Sequence, residues 1–395
     1  MSEGSGHDSR RWDAPLDRVE RLHATPHRTV YAFAGAGSLA LAWLHAVGGS
    51  SRTVLEAHDH YHAASLRDAL GAEASASVSP RVAEGLAVAS RTRARRLVAD
   101  DDPPGPTFGL GLTATIATDR RKRGEHRVEL ASADALGVAG TSFVLAKGAR
   151  DRAGEEDVVG RWLLATAAQA SGLLGWANPS LRDDEPVVHR FRPSSAFQGF
   201  LDDSDALLAL GTAGRPIPVP EDGPPPALVS GSFHPMHEGH RRLAEAAEAY
   251  LGRPAWFEMP LANADKDAVA PAEARMRAAQ AYGVRRLLLT HAPLFAEKAE
   301  RLPGCVFVVG VDTARRVLAP RFYGGEDGLA SALARIRAAG ARFLVAGRAG
   351  DEGFRTLADL AVPERFDDLF EALPSFRVDL SSTELRADWP STADS

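Results

Sequence analysis

His237 and His240 stand three residues apart at the start of a helix-patterned segment, Arg241 to Leu251. The stretch reads Gly231-Ser232-Phe233-His234-Pro235-Met236-His237-Glu238-Gly239-His240 and follows the apolar run Ala227-Leu228-Val229-Ser230. Strand, glycine turn and helix start together suit a nucleoside triphosphate. The turn lets backbone approach phosphates, and the helix N-terminus adds N–H donors and the positive end of its dipole. Histidines three apart share one helix face. From there they can donate hydrogen bonds to phosphoryl oxygens as charge builds in a transition state. The plainer alternative is a strand–turn–helix with surface histidines. The concurrence of Gly, Phe, Pro, His, Gly and His at fixed spacing argues against it.

This stretch resembles the first signature of the HIGH-motif nucleotidyltransferases in the form G-x-F-x-P-x-H-x-G-H, which nicotinamide or nicotinate mononucleotide adenylyltransferases carry. Cytidylyltransferases and pantetheine-phosphate adenylyltransferases carry close variants. The resemblance extends over Ala227 to about Ala387. Gly310-Val311-Asp312 follows an apolar strand candidate and is similar to the family's G-x-D. That match implies nucleotide contacts from Gly310 and Asp312; physically, Asp312 suits a helix N-cap or an acceptor for a ribose hydroxyl. Phe343-Leu344-Val345-Ala346-Gly347-Arg348 resembles the late strand whose arginine lies beside the base. Asp379-Leu380-Ser381-Ser382-Thr383-Glu384-Leu385-Arg386 is similar to I-S-S-T-x-I-R. There the resemblance implies triphosphate binding by Ser381, Ser382 and Thr383 and charge compensation by Arg386. A capping box from Ser381 to Glu384 is the alternative. Gly231, Ser232, Phe233 and Gly239 complete the implied nucleotide site, with His237, His240 and Arg386 as its catalytic residues.

Two departures bear on the acceptor. The family's P-P-H-K element is replaced by Leu261-Ala262-Asn263-Ala264-Asp265-Lys266-Asp267. Of 46 basic residues only Lys122, Lys147, Lys266 and Lys298 are lysines, so a lysine is a less casual choice here than usual. Lys266 is the candidate for the acceptor phosphate, as a compact point charge, against a plain surface lysine. The tryptophan expected after G-x-D is also missing, and Ala319-Pro320-Arg321-Phe322-Tyr323-Gly324-Gly325 stands there. That form resembles a divergent adenylyltransferase-like branch.

The elements that must position these residues are α/β in pattern. A chain of 395 residues suggests two domains. The proline-rich run Gly214 to Pro226 reads as an extended linker. Beyond it, strand candidates Trp256–Met259, Arg286–Thr290, Val306–Gly310, Arg342–Ala346 and Phe376–Leu380 alternate with helix candidates Pro271–Tyr282, Thr313–Leu318 and Leu329–Ala339. This alternation predicts a Rossmann-like, doubly wound and mostly parallel sheet over residues 227–387, with ligands beyond the carboxyl ends of its strands. Residues 1–28 are expected as a flexible leader, 193–226 as a connecting segment and 388–395 as a tail.

Residues 29–192 mix helix-like runs (Ser38–Val47, Pro80–Val98, Asp157–Leu174) with strand-like ones (Thr107–Thr113, His126–Ser132, Thr141–Leu145). Arg120-Arg121-Lys122-Arg123-Gly124 reads as a solvated hairpin tip. Gly49-Ser50-Ser51, Tyr61 to Gly71, Ser77 to Ala83 and Gly111-Leu112-Thr113 resemble, in order and spacing, the CinA C-terminal domain. That family deamidates nicotinamide mononucleotide with a serine nucleophile in A-E-S-C-T-G-G and a lysine in Y-S-N-E-A-K. Here the serine position falls on Ala34 and the lysine position on Leu66. Neither can carry acyl transfer. Ser38 is the nearest serine after a one-gap shift, and His58, His60 and His62 read as exposed polar histidines. The resemblance therefore implies a CinA-like α/β domain without its chemistry, serving to bind a nucleotide, to form a homo-oligomer, or both.

Net charge of −6 gives no argument for nucleic acid or an acidic membrane surface. No apolar stretch is long enough to span a bilayer. The single cysteine, Cys305, excludes an intrachain disulfide and agrees with a reducing cytoplasm. The expected function is transfer of AMP from ATP to a small phosphorylated acceptor such as nicotinamide or nicotinate mononucleotide, with Mg²⁺ travelling with the ATP rather than held by an acidic cluster. A cytidylyltransferase acting on a phosphorylated alcohol and a non-catalytic nucleotide sensor are the alternatives.

Overall fold

A computed structural model describes residues 15–73, 76–119, 123–176, 178–220, 225–262, 267–350, 353–374 and 376. The chain divides between Ser194 and Ser195 into two compact units. The first contains α1 (Leu16–His23), β1 (Arg28–Ala34), α2 (Ser38–Ala46), α3 (Ser50–Thr53), β2 (Val54–Asp59), α4 (Ala63–Leu70), α5 (Pro80–Leu97), β3 (Thr107–Ala114), β4 (His126–Ala133), β5 (Gly137–Leu145), α6 (Arg152–Ala170) and β6 (Val187–Pro193). Its sheet runs β2-β1-β3-β4-β5-β6. β1 pairs parallel with β2 and β3, and the later pairs are antiparallel. On β3, Phe108, Leu110 and Leu112 enter one core with Trp43 and Trp162 from the helices on that face. Gly109 and Gly111 point to the other face, where α5 lies almost in backbone contact. A Cβ on Gly111 would stand 2.1 Å from the Ala83 carbonyl oxygen, and one on Gly109 2.1 Å from that of Ala87.

Part of the segment expected as a leader is built into this unit. Val19 and Leu22 of α1 are fully buried. His23 of α1 is held by Thr53 Oγ1 at 2.8 Å and the Leu44 carbonyl at 2.9 Å. The apolar spacing of Leu16, Val19 and Leu22 was outweighed in the sequence reading by the polar residues before it. The helix expected over Asp157–Leu174 starts earlier, at Arg152, because Asp151 caps it by accepting from Gly154 N–H at 2.8 Å.

The second unit contains α7 (Ser195–Asp202), β7 (Leu208–Leu210), β8 (Pro216–Ile217), β9 (Ala227–Ser230), α8 (Glu238–Leu251), β10 (Ala255–Pro260), α9 (Pro271–Ala279), β11 (Leu287–Thr290), α10 (Phe295–Arg301), β12 (Val306–Gly310), α11 (Val311–Val317), α12 (Glu326–Ala338), β13 (Arg342–Ala346), a hairpin of β14 (Arg348–Gly350) and β15 (Gly353–Arg355), and β16 (Phe370–Ala372). The sheet order is β16-β13-β12-β9-β10-β11-β7-β8. The strands from β16 to β11 are parallel, and β7 and β8 extend the sheet antiparallel. Runs such as Val306-Phe307-Val308-Val309 are apolar without alternation because helices cover both faces. The chain winds outward from β9 through β10 to β11, then returns to the other side of β9 for β12. That reversal is the topological switch point, and it opens a crevice at the carboxyl ends of β9 and β12.

Two expectations about this unit change. Residues 193–226, taken as a connecting segment, supply α7, β7 and β8, with Leu208, Ala209 and Leu210 buried. Their apolar triplet pairs with β11. The strand expected over Phe376–Leu380 is not found at Phe376, which belongs to no element, and residues 377–380 lie outside the described ones. The sheet edge is instead β16, whose Phe370 stacks on Phe343 with centroids 4.9 Å apart. Among the described residues no helix is long and apolar enough to cross a membrane.

The tight α5–β3 approach yields a direct test. Gly111→Ala sets a methyl group against helix backbone, which cannot rotate away. Overpacking of this kind costs about 1–3 kcal/mol. Chemical denaturation should show the first unit losing stability by that amount, while Gly48→Ala, whose added methyl meets nothing within 4 Å, leaves it unchanged.

Candidate active site

A cleft of about 990 Å³ opens along the carboxyl edge of the second sheet. Gly231, Ser232, Gly239, His237, His240, Gly310 and Arg348, named from sequence, all line it. Their convergence follows from the topology: the turn after β9, the turn after β12 and the residue after β13 are neighbours in the sheet order.

The turn is built from its own side chains. Phe233 has a left-handed backbone, φ 45°, rare outside glycine and costing of order 1–3 kcal/mol. This conformation folds its ring back over Gly231, where a Cβ would meet the ring at 2.9 Å. The ring then packs edge-on against His240 at 5.0 Å and against Phe257 of β10 at 5.1 Å. Phe233 is thus a buried wedge beneath the histidines, and Gly231 is required for space. Gln280, which follows α9, braces the turn from outside. Its Nε2 donates to the Phe233 carbonyl at 2.8 Å, and its Oε1 accepts from Met236 N–H at 2.8 Å. Arg277 adds a bond from Nη1 to the Ser232 carbonyl at 3.2 Å and is itself held by Glu273 at 2.5 Å. Neither residue was marked by its sequence context, because each acts on backbone groups across more than 40 positions.

His237 is the N-cap of α8 rather than a residue within it. Its Nδ1 accepts from Gly239 N–H at 3.1 Å, and His240 Nδ1 accepts from His237 N–H at 3.2 Å. The expected shared face is therefore realised as two rings with centroids 3.9 Å apart. An Nδ1 that accepts a backbone N–H carries no proton, so both rings hold theirs on Nε2. Burial lowers the pKa of both. For His240 the value falls to about 3, with His237 adding to the effect; for His237, Arg348 adds to it. The pair is consequently neutral at physiological pH. At the positive end of a helix dipole, two imidazoles become paired N–H donors.

Asp312 is not the cap of its helix. Gly310 holds the N-cap position of α11, and Asp312 sits in the first turn, with its carboxylate accepting from Arg348 Nη1 at 2.7 Å. Two residues named separately from sequence are thus one ion pair. Gly310 opens onto empty space, as a backbone surface that a ligand approaches would. Thr313 and Arg316 of α11 also line the cleft. Lys266, Ser381, Ser382, Thr383 and Arg386 lie outside the described residues.

On the β10–β11 side Lys298 lines the cleft and belongs to a pair that sequence reading did not assign. Lys298 of α10 donates to Glu258 of β10 at 2.7 Å, and Thr290 of β11 donates to the other carboxylate oxygen at 2.6 Å. Lys298 was one of the four lysines, and their rarity was the available signal; its charged neighbours Glu297, Glu300 and Arg301 gave no further reason to choose it. Among the described residues no three His, Cys, Asp or Glu side chains group to hold a metal ion.

In the first unit, Ala34 ends β1, and Leu66 packs into an apolar cluster with Ala32, Val82 and Leu86. The amides at the start of α2 face a carboxylate from the same unit. Glu156 Oε1 accepts from Gly37 N–H at 2.8 Å, Leu39 N–H at 3.0 Å and Ser38 Oγ at 3.1 Å. His58 pairs with Glu56, His60 contacts Ser65, and His62 caps α4.

The histidine geometry predicts an NMR result. The His240 ring should remain neutral and Nε2-protonated from pH 8 down to about pH 4, with titration only near the value of about 3 that burial imposes. A ring titrating near its ordinary 6.5 would contradict the tautomer assignment. The sign for stability follows. The unfolded ring binds its proton near 6.5 and the folded ring resists until about 3, so this residue's contribution is intact above pH 6.5 and is lost as pH falls from there toward 3.

Residues 228–387 match the family described as cytidylyltransferase-like. The match includes both signatures, from Gly231–His240 through Ser381–Arg386. No curated protein matches the chain. Among solved structures the chain is similar to the competence/damage inducible protein CihA from Agrobacterium tumefaciens, at 21% identity over 42% of this chain and 96% of that one, with a TM-score of 0.32. It is also similar to CinA superfamily proteins from Escherichia coli (14% identity, 42% and 92%, TM-score 0.31) and Klebsiella pneumoniae (13%, 39% and 93%, TM-score 0.30). These likenesses fall on the N-terminal part of the chain. Residues 228–387 of the second unit thus form a cytidylyltransferase-like domain, that of a nucleotidyltransferase.

Proposed function

We propose that the second unit transfers AMP from ATP to the phosphate of a pyridine mononucleotide and releases pyrophosphate. The observation that carries this reading is the pair of neutral imidazoles, each with its proton on Nε2, standing side by side at the start of α8. Such a pair neutralises no ground-state charge but donates to oxygens on which charge grows. Differential stabilisation of that kind accelerates a displacement at phosphorus. The acceptor's phosphate oxygen attacks the α-phosphorus in line, and pyrophosphate leaves, with no group of this chain bonded to phosphorus. His237 and His240 donate to the reacting phosphate, and Arg348 offsets charge beside them. Ser381, Ser382, Thr383 and Arg386 bind the triphosphate in this reading, and Lys266 the acceptor phosphate. Mg²⁺ enters with ATP as part of the substrate.

The choice of ATP and of a pyridine acceptor rests on the G-x-F-x-P-x-H-x-G-H and S-S-T forms. Support also comes from the sequence resemblance of Gly49–Ser51, Tyr61–Gly71, Ser77–Ala83 and Gly111–Thr113 to the CinA C-terminal domain, a family that deamidates nicotinamide mononucleotide. In this reading the first unit has no deamidase activity, since Ala34 and Leu66 supply neither nucleophile nor base. CTP with a phosphorylated alcohol is the competing pair, since the family bears the cytidylyl name.

The test is pyrophosphate release from ATP or CTP with nicotinamide mononucleotide, nicotinate mononucleotide and phosphocholine. ATP with a pyridine mononucleotide should turn over. Loss of one transition-state donor in His240→Ala should lower kcat about 10²–10³-fold. Release only from CTP would shift the assignment to the second pair. Release from no pair, or a His240→Ala variant at wild-type rate, would end the catalytic reading.

A further inference from the structure

The cleft crosses the sheet edge, with the histidines after the central strand β9. Phosphates gather there, so each substrate extends its non-phosphate end to one side. Gly310, Thr313 and Arg348 flank one side. Pro260, Val269, Leu294, Phe295 and Lys298 flank the other. On the reading above, the first side takes the adenosine and the second the acceptor's base. The second lobe has an apolar, aromatic wall with one buried cation in it. Lys298 is 3% exposed and Glu258 fully buried.

A buried ion pair is poor value for stability alone, since desolvation offsets much of the attraction. This one is also asymmetric. Lys298 reaches the cleft wall, whereas neither Glu258 nor Thr290 lines it. Each oxygen of the carboxylate accepts one hydrogen bond, from Lys298 and from Thr290. The ammonium has three N–H donors. Among the described residues one is taken by Glu258, and the Phe295 ring lies 4.8 Å away. Of the pair, the cationic residue is therefore the one on the cleft side, in low-dielectric surroundings where a hydrogen bond to an anion is strengthened. Of the acidic residues lining the cleft on that side, Asp267 is exposed and screened by water, and Glu273 is paired with Arg277.

We propose that Lys298 is the specificity-determining residue of the acceptor lobe, donating to a carboxylate on the acceptor's ring and so favouring a nicotinate-type over a nicotinamide-type mononucleotide. A carboxamide offers the same oxygen without the charge. The inference rests on the pyridine-acceptor reading of this site. Glu258 and Thr290 are positioning residues in it, and the Glu258 carbonyl also accepts from Gly231 N–H at 3.0 Å, which ties the lobe to the catalytic turn.

The test compares nicotinate and nicotinamide mononucleotides on the full chain, as wild type, Lys298→Met and the double variant Lys298→Met/Glu258→Gln. The double variant leaves no uncompensated buried carboxylate. Wild-type kcat/KM should favour the carboxylate acceptor by about 10-fold or more, as a charge-assisted hydrogen bond predicts. In the variants this ratio should fall to about one, through a higher KM for the carboxylate acceptor, with KM for ATP unchanged. A purely structural role would slow both acceptors alike and lower Tm. Equal rates in the wild type, preference for the carboxamide, or a ratio that survives the double variant would overturn the proposal. Absence of turnover with either acceptor would overturn the pyridine-acceptor reading itself. Calorimetric binding of the two mononucleotides then decides Lys298: a carboxylate preference lost in the double variant upholds it, and no preference or no binding removes it.

Discussion

Two backbone N–H groups at the start of α8 govern the site. A helix leaves its first N–H groups without partners inside the helix, and these are most often met by an oxygen from Ser, Thr, Asp or Asn. Here imidazole nitrogens meet two of them: His237 Nδ1 takes the Gly239 donor, and His240 Nδ1 takes that of His237 itself. The bonds do more than cap the helix. They fix the tautomer of both rings, and that tautomer sends both protons away from the helix. Protonation of Nδ1 would break a cap bond, so the helix end and the neutral Nε2-protonated tautomer stabilise each other.

The surrounding packing keeps that arrangement dry and fixed. The Phe233 ring contacts His240 at its edge and fills the space that Gly231 leaves, so the pKa of His240 is set from below by an apolar wedge. Gln280 meets both a donor and an acceptor of the same turn and thereby fixes its height above the sheet. Arg348 raises the positive potential next to His237, which opposes protonation further. Its pairing with Asp312 limits this effect and holds the guanidinium across the mouth between α11 and β14.

Much of this was legible in residue types, because the same features that specify the fold specify the site. Gly231, Phe233, His237, Gly239 and His240 act within ten positions of one another, so their spacing encodes their geometry. The parallel strands were legible for the same local reason: Val306–Gly310 and Arg342–Ala346 are short apolar runs bounded by helical patterns. What escaped reading acts at long range. Gln280 is an ordinary polar residue after an amphipathic helix until β9 and α9 are brought together. Glu258 looks out of place within the strand Ala255–Pro260 until Lys298 and Thr290 reach it from α10 and β11. The β7–β8 segment was hidden by its prolines, which suit a linker but are equally tolerated at a sheet edge, where a missing N–H costs no ladder bond.

The first unit shows the same physics with the opposite outcome. Its helix α2 also begins after a glycine turn at the carboxyl end of a parallel strand, and its first amides also need acceptors. There the acceptor is an anion from within the unit: the Glu156 carboxylate collects Gly37 N–H, Leu39 N–H and the Ser38 hydroxyl. A fixed carboxylate satisfies the dipole completely and leaves it little capacity for a ligand's anion. The imidazoles of α8 satisfy their amides with neutral atoms and still present donors outward. The difference between a closed helix end and an open one therefore lies in the capping atom. Nitrogen of a neutral ring extends the positive end of the helix toward the cleft, whereas a carboxylate cancels it. Ala34, at the end of β1, and Leu66, packed among Ala32, Val82 and Leu86, carry neither a nucleophile nor a base beside that capped helix end.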